Sequence, residues 1–319
     1  MVSTPGNLDH GGGLDLAIAR YGGTRIGWAD LSTGVNSHSY PIPTFAPDCW
    51  QALPDSAAME CLLAAARAFW SVPDSAHVLA APGASLIIAQ VPGLRVPGSV
   101  VVPGPTYNEH AASFAAHGWR VVSEGTASAR VIVQPNNPDG RVWSSSTLPA
   151  PDAELTLIDE SFCDITPAQS FIREAGKPGW LILKSFGKFW GLAGLRLGFA
   201  IGASDDIAHL RERLGPWAVS GPALETGTLA LSDDKWAAAT RIRLAEGSAH
   251  LDALMQLAGA RVQGGTSLFR LYNVDNAESW QDRLAQHHIW SRTFPYNPHW
   301  LRLGIPHSLH WPRLKEALA

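Results

Sequence analysis

Cysteine is scarce, with three residues in 319: Cys49, Cys61 and Cys163. They have neither metal-ligand spacing nor the density of a disulfide framework, which excludes a zinc module and a disulfide-stapled secreted domain. Excess positive charge is also missing. Lys and Arg number 24 against 28 Asp and Glu, and the net charge of −4 gives no ground for a nucleic-acid partner. No apolar run is long enough to cross a bilayer, so no membrane association is expected. Residues Met1 to Gly13 lack a basic stretch followed by an apolar one, so no secretory leader is expected and a cytoplasmic location is. Internal repeats and low-complexity tracts are absent too. What is present is a globular composition, 46% hydrophobic and 16% charged, in a chain long enough for two lobes.

The most informative stretch runs from Lys184 to Gly198. The apolar run Trp180-Leu181-Ile182-Leu183 reads as a buried strand, and Leu197 to Ile201 as a second. Between them Lys188 sits on a Gly-rich loop, flanked by Ser185 and Arg196. A hydroxyl and a planar guanidinium can together hold a phosphate. An amine beside such a cradle, with aromatic neighbours, suits pyridoxal phosphate held as a Schiff base. A lone lysine would be read as a solvated loop residue. The whole pattern, Ser-x-x-Lys followed by Gly-Leu-Arg-x-Gly, outweighs that. It resembles the lysine segment of the fold-type I pyridoxal-phosphate enzymes, the aspartate aminotransferase superfamily.

Further segments carry the resemblance along the chain. Gly83-Ala84-Ser85 follows the strand His77 to Pro82 and opens a helix, presenting amides and a hydroxyl to an anion. The resemblance makes it the cofactor-phosphate loop. Tyr107 follows the strand Ser99 to Pro103 and precedes the helix Asn108 to His117; the resemblance implies that it stacks on the pyridine ring. Gln134-Pro135-Asn136-Asn137-Pro138-Asp139-Gly140 is by itself an ordinary turn after the strand Ala129 to Val133. The resemblance makes Asn137 a partner of the ring oxygen, close to substrate. Asp159 ends the strand Leu155 to Ile158, where a carboxylate points into the crevice of an open α/β sheet. There it would keep the ring nitrogen protonated. Lys188, Asp159 and Tyr107 are the implied catalytic residues.

Other segments suggest a branch. The run His10-Gly11-Gly12-Gly13 reads by composition as a flexible linker. Asp30-Leu31-Ser32-Thr33-Gly34-Val35-Asn36 is similar to a segment of threonine-phosphate decarboxylases of cobalamin biosynthesis and of histidinol-phosphate aminotransferases. The His-Gly-Gly opening and Phe162 followed by Asp164 are more particular to the decarboxylases. This implies that His10 and Asn36 lie near substrate. Arg302, in Trp-Leu-Arg-Leu-Gly, is implied to grip the substrate α-carboxylate, and Arg292 is a weaker candidate for a substrate anion. Leu53 departs from the pattern: relatives often have a Tyr there that reaches the neighbouring subunit's cofactor phosphate.

The expected architecture is α/β. A large cofactor domain with a mainly parallel sheet would span 34–225. A smaller α+β domain would combine 1–33 with 226–319. Helices are expected over Ser56 to Trp70 (with Asp55 as N-cap), Asp205 to Leu214, Pro222 to Leu231, Asp234 to Leu257 and Glu278 to His288. The resemblance implies a homodimer and a small phosphorylated amino-acid substrate. The implied reaction converts L-threonine O-3-phosphate to (R)-1-amino-2-propanol O-2-phosphate. The alternatives are an aminotransferase of the histidinol-phosphate type and a non-catalytic ligand-binding protein.

Overall fold

The computed structural model describes residues 10–150 and 152–319. The leader-peptide reading concerned residues that mostly lie outside that range. Two compact units result. One comprises Tyr40–Asn137 and Val142–Ala237; the other comprises 10–39, Pro138–Arg141 and Ala238–Ala319.

The larger unit is built on a seven-stranded sheet. Its strands, in spatial order, are His77–Ala81, Gly198–Gly202, Trp180–Ser185, Leu155–Asp159, Ala129–Val133, Ser99–Val101 and Arg120–Val122. Gly198–Gly202 runs antiparallel to both neighbours, and every other pairing is parallel. The central strands are buried on both faces and so read as mostly apolar runs; of the polar exceptions, Arg130 Nε donates to Thr156 Oγ1 on the neighbouring strand at 2.9 Å. One face packs Val131, Leu157, Leu181 and Leu183 against Ile87, Ile88 and Phe114 from flanking helices. Ser56–Trp70 forms the expected helix, but Asp55, although at the N-cap, makes no side-chain capping bond.

The smaller unit carries a four-stranded antiparallel sheet in the order Arg292–Phe294, Asn297–Gly304, Phe269–Asn273, Arg261–Gly265. Its helix Ala277–Gln286 is capped by Asn276, whose side chain accepts from the Ser279 amide. The glycine run near the start is packed, unlike a flexible linker. The Gly12 amide donates to Ser32 Oγ at 2.7 Å, and a Cβ on Gly11 would lie 2.5 Å from the Ser32 carbonyl oxygen. Gly13 then begins the helix Leu14–Tyr21 at φ 68°, a left-handed position suited to glycine. Pro138–Arg141 docks on the same sheet, where the Gly265 amide donates to the Asp139 carbonyl at 2.7 Å. No helix among the described residues is long and apolar enough to cross a membrane.

Candidate active site

The sheet of the larger unit delivers the candidates to one edge. Ala81, Gly198 and Ser185 are register partners, so the ends of three strands meet there. Asp159 closes the next strand, and the turn holding Asn137 follows the strand after that. Carboxyl ends of neighbouring parallel strands are where an open α/β sheet leaves a crevice. Gly83, Ala84, Ser85, Tyr107, Asn137, Asp159, Ser185, Lys188 and Arg196 all line one cavity of about 150 Å³. A larger cavity of about 440 Å³ lies beside Leu53 in the same unit, but no cationic side chain lines it, so it has nothing to hold a phosphate.

Asp159 forms the buried floor. Its Oδ1 accepts from the Ser161 amide at 2.9 Å and from the Ser161 hydroxyl at 2.5 Å. Its Oδ2 lies 2.8 Å from His110 Nε2. Burial alone would raise the carboxyl pKa, but the His110 hydrogen bond, the His110 charge and the Ser161 bonds outweigh it, and the net shift is downward. The site therefore holds a buried carboxylate in its ionised form. His110 and Ser161 escaped the sequence reading. The available signal was helical spacing: His110 lies three positions after Tyr107, where residues share a face. The two rings meet edge to face with centroids 5.9 Å apart. Burial pushes the Tyr107 hydroxyl up to about 12.

At the other end of the cavity the glycine loop meets a guanidinium. Gly83 has φ +91°, and a Cβ there would fall 2.5 Å from Arg196 Nη2. Only glycine lets this backbone approach Arg196 so closely. Arg196 itself adopts a left-handed φ of 54° and bonds back to the Ala193 carbonyl at 3.2 Å. Between the two ends, Lys188 Nζ stands 5.3 Å from the centre of the buried Phe162 ring. Asn136, next to the cavity-lining Asn137, ties its turn to the segment before Tyr107, accepting from the Thr106 hydroxyl at 2.6 Å and donating to the Pro105 carbonyl at 3.0 Å.

This donor set fits pyridoxal 5'-phosphate. The glycine loop with Ser85, Ser185 and Arg196 suits a phosphate, Asp159 a protonated ring nitrogen, Asn137 a ring oxygen, Tyr107 a ring face and Lys188 an aldehyde.

The remaining candidates belong to the smaller unit and are described within it. Arg302 is buried; its Nη2 donates to the Ser32 carbonyl at 2.6 Å, and its guanidinium lies 5.1 Å from the Phe269 ring centre. Arg292 is its direct register partner on the adjacent strand and donates through Nη1 to the His10 carbonyl. Burial, then the charge of Arg292, lowers the Arg302 pKa to about 10. Asn36 is buried, and its side-chain oxygen accepts from the His38 amide at 3.1 Å. The sequence reading assigned these residues to substrate, and the structure brings His10, Arg292 and Arg302 together.

Comparison with known proteins agrees with this geometry. The family described as Aminotransferase class I and II matches residues 124–310. A threonine-phosphate decarboxylase of Sinorhizobium sp is 39% identical, the match covering 97% of each chain. One from Pseudomonas aeruginosa is 36% identical over 98% of this chain and 97% of its own. Among solved structures, a histidinol-phosphate aminotransferase from Sinorhizobium meliloti in complex with pyridoxal-5'-phosphate superposes with a TM-score of 0.80 at 18% identity, over 96% of this chain and 93% of that one. The chain belongs to the class I and II aminotransferase family of pyridoxal-phosphate enzymes.

Proposed function

We propose that the protein decarboxylates L-threonine O-3-phosphate to (R)-1-amino-2-propanol O-2-phosphate. The observation that carries this reading is the pair Arg292 and Arg302, register partners on adjacent strands. Two guanidiniums side by side on one sheet can take two anionic groups held close together, each through a planar fork of donors. A substrate with a carboxylate and a phosphate on one small frame supplies two such anions. Full-length likeness to threonine-phosphate decarboxylases supports the same substrate.

Pyridoxal 5'-phosphate, when bound, supplies a ring that accepts the electron pair left by the departing CO₂. Lys188 would be the amine that holds its aldehyde. Asp159, ionised and buried, holds a proton on the ring nitrogen. Arg302 would take the substrate α-carboxylate, for which its guanidinium offers a planar fork of donors. Arg292, His10 and Asn36 take the substrate phosphate. Lys188 in its protonated form would deliver to Cα the proton that takes the place of the lost carboxylate, so that the carbon keeps its amine. Phe162 presents no hydroxyl to the cavity, which favours decarboxylation over the aminotransferase alternative.

We also infer a homodimer. Trp50, Leu53 and Leu229 are 68%, 63% and 44% exposed at or beside the larger cavity, an apolar surface suited to a second copy. Light scattering on the purified protein tests it.

The reaction is tested by NMR on the cofactor-loaded protein with L-threonine O-3-phosphate and no keto acid. Repeated turnover to aminopropanol phosphate is expected. A single turnover that resumes only with 2-oxoglutarate would assign it as an aminotransferase instead.

A further inference from the structure

Asp159 and Ser185 face the cavity from the ends of adjacent strands, and their sequence neighbours Glu160 and Lys184 alternate to the other side. There they form a buried ionic cluster. Lys184 Nζ lies 2.6 Å from Glu160 Oε2 and 3.6 Å from Asp164 Oδ1. The three side chains are 2%, 0% and 4% exposed. Glu160 also accepts from the Ser170 hydroxyl and the Phe171 amide, each at 2.6 Å. Asp164 accepts from two indoles, Trp70 Nε1 at 2.9 Å and Trp190 Nε1 at 3.2 Å. Trp190 is fully buried and stacks on Phe186, with centroids 5.2 Å apart and planes 13° from parallel.

A cluster of this kind is a poor source of stability, because desolvating the charges consumes most of what their attraction returns. Its position suggests another use. Asp159, Ser161 and Phe162 lie on one segment of the cavity wall; Ser185, Gly187 and Lys188 lie on another. Glu160 and Asp164 bracket the part of the first segment that carries Ser161 and Phe162. Lys184 and Trp190 bracket the second. Every bracket residue bonds to one on the opposite segment: Lys184 to Glu160, Trp190 to Asp164.

We propose that Lys184, Glu160, Asp164 and Trp190 are positioning residues that clamp these two segments in register and so hold the Lys188 amine over Phe162, aimed into the cavity. This rests on the reading of Lys188 as the amine that carries pyridoxal phosphate. None of the four lines the cavity, so each acts through its neighbours. Lys188 is pinned on both sides, and loss of either pin lets the loop swing while the cavity's other walls stay in place.

The test is borohydride trapping of pyridoxal 5'-phosphate on the apoprotein at fixed short times, read as the mass of the Lys188 peptide, with kcat, KM and Tm measured in parallel. The wild-type protein comes first: if no label reaches Lys188, the reading beneath the proposal fails, whatever the cluster does. Trp190→Phe keeps an aromatic ring for stacking and removes the Nε1 donor together with the second ring of the indole, the same chemical change that Trp70→Phe makes at the other indole. Its trapping rate and kcat are expected to fall about tenfold with KM held within about twofold, since a misplaced reacting group loses rate more than binding. Trp70→Phe removes the other indole bond to Asp164 from a helix that contributes no cavity residue; it is expected to lower Tm and leave trapping unchanged. Asp164→Asn repeats the test if Trp190→Phe does not fold, with the same slowing expected. Wild-type trapping in Trp190→Phe, or equal slowing in both indole variants, would reduce the cluster to structural support and overturn the proposal.

Discussion

His110 Nε2 and Asp159 Oδ2 are 2.8 Å apart in a region where both side chains are shielded from water, at 0% and 3% exposure. The pair places a charge-assisted hydrogen bond directly behind the carboxylate that faces the cavity. Its consequence is a proton balance: Asp159 stays ionised although burial opposes it.

That balance makes stability depend on pH in a definite direction. The folded-state pKa of Asp159 is depressed, so its contribution is present above the unfolded carboxyl pKa of about 3.9 and is lost as pH falls through the lower folded value. His110→Ala removes the principal support of the charge. We expect it to cost about 3 kcal/mol at neutral pH, the scale for breaking a buried pair. The acid-unfolding midpoint should move to higher pH. Urea melts between about pH 2 and pH 5, a range that spans the unfolded carboxyl pKa of about 3.9, check this; superimposable profiles for variant and wild type would argue against it.

Gly83→Ala probes the other end of the cavity. The new methyl meets Arg196 Nη2 at 2.5 Å, on a backbone with φ +91°. Strain of this type costs about 1–3 kcal/mol. Part of it is relieved if Arg196 withdraws, so affinity for pyridoxal phosphate is expected to fall about tenfold or more, with the fold intact. Titration of the apoprotein by cofactor absorbance measures it. Arg196→Lys should weaken binding similarly, because an ammonium cannot reproduce the planar fork.

Lys188→Ala is expected to abolish covalent capture of the cofactor while leaving the cavity's phosphate contacts in place. After borohydride and denaturing dialysis, the wild type should retain the cofactor mass on one peptide and the variant none. Retention of that mass elsewhere on the variant would assign the attachment to another amine.

Much of this site was legible because its residues follow buried strands whose apolar runs stop at Gly, Pro or a charged residue. Lys188, Asp159, Asn137 and the Gly83 turn each sit just past such a stop, and the sheet gathers those stops at one edge. What was not legible depended on partners remote in sequence. His110 is an unremarkable helix residue until the fold brings it to Asp159, 49 positions away. Lys184 reads as one more polar residue in a loop-bound run, yet it is a core cation paired with Glu160, 24 positions away. The helix Leu14–Tyr21 was missed because the glycines before it read as linker. The strand Arg120–Val122 was missed because three residues at a sheet edge carry no periodic signal.

Arg302 separates function from stability. It is buried, its charge is opposed by that of Arg292, and its pKa is lowered to about 10, so it remains a cation at neutral pH at a cost to the folded state. Burial is the main opponent of this charge, so an apolar side chain of similar volume removes that desolvation cost. Arg302→Met is therefore expected to keep or raise Tm even though it loses the bond to the Ser32 carbonyl. If Arg302 binds the substrate carboxylate, the same variant should raise KM about 30-fold or more, corresponding to about 2 kcal/mol of lost charge-assisted binding. Arg302→Lys restores the charge without the fork and should fall between the two in KM while recovering little of the wild-type geometry. A variant with lowered Tm and unchanged KM would make Arg302 a structural residue of the Asn297–Gly304 strand and transfer the carboxylate to another cation, for which Arg292 is the immediate candidate.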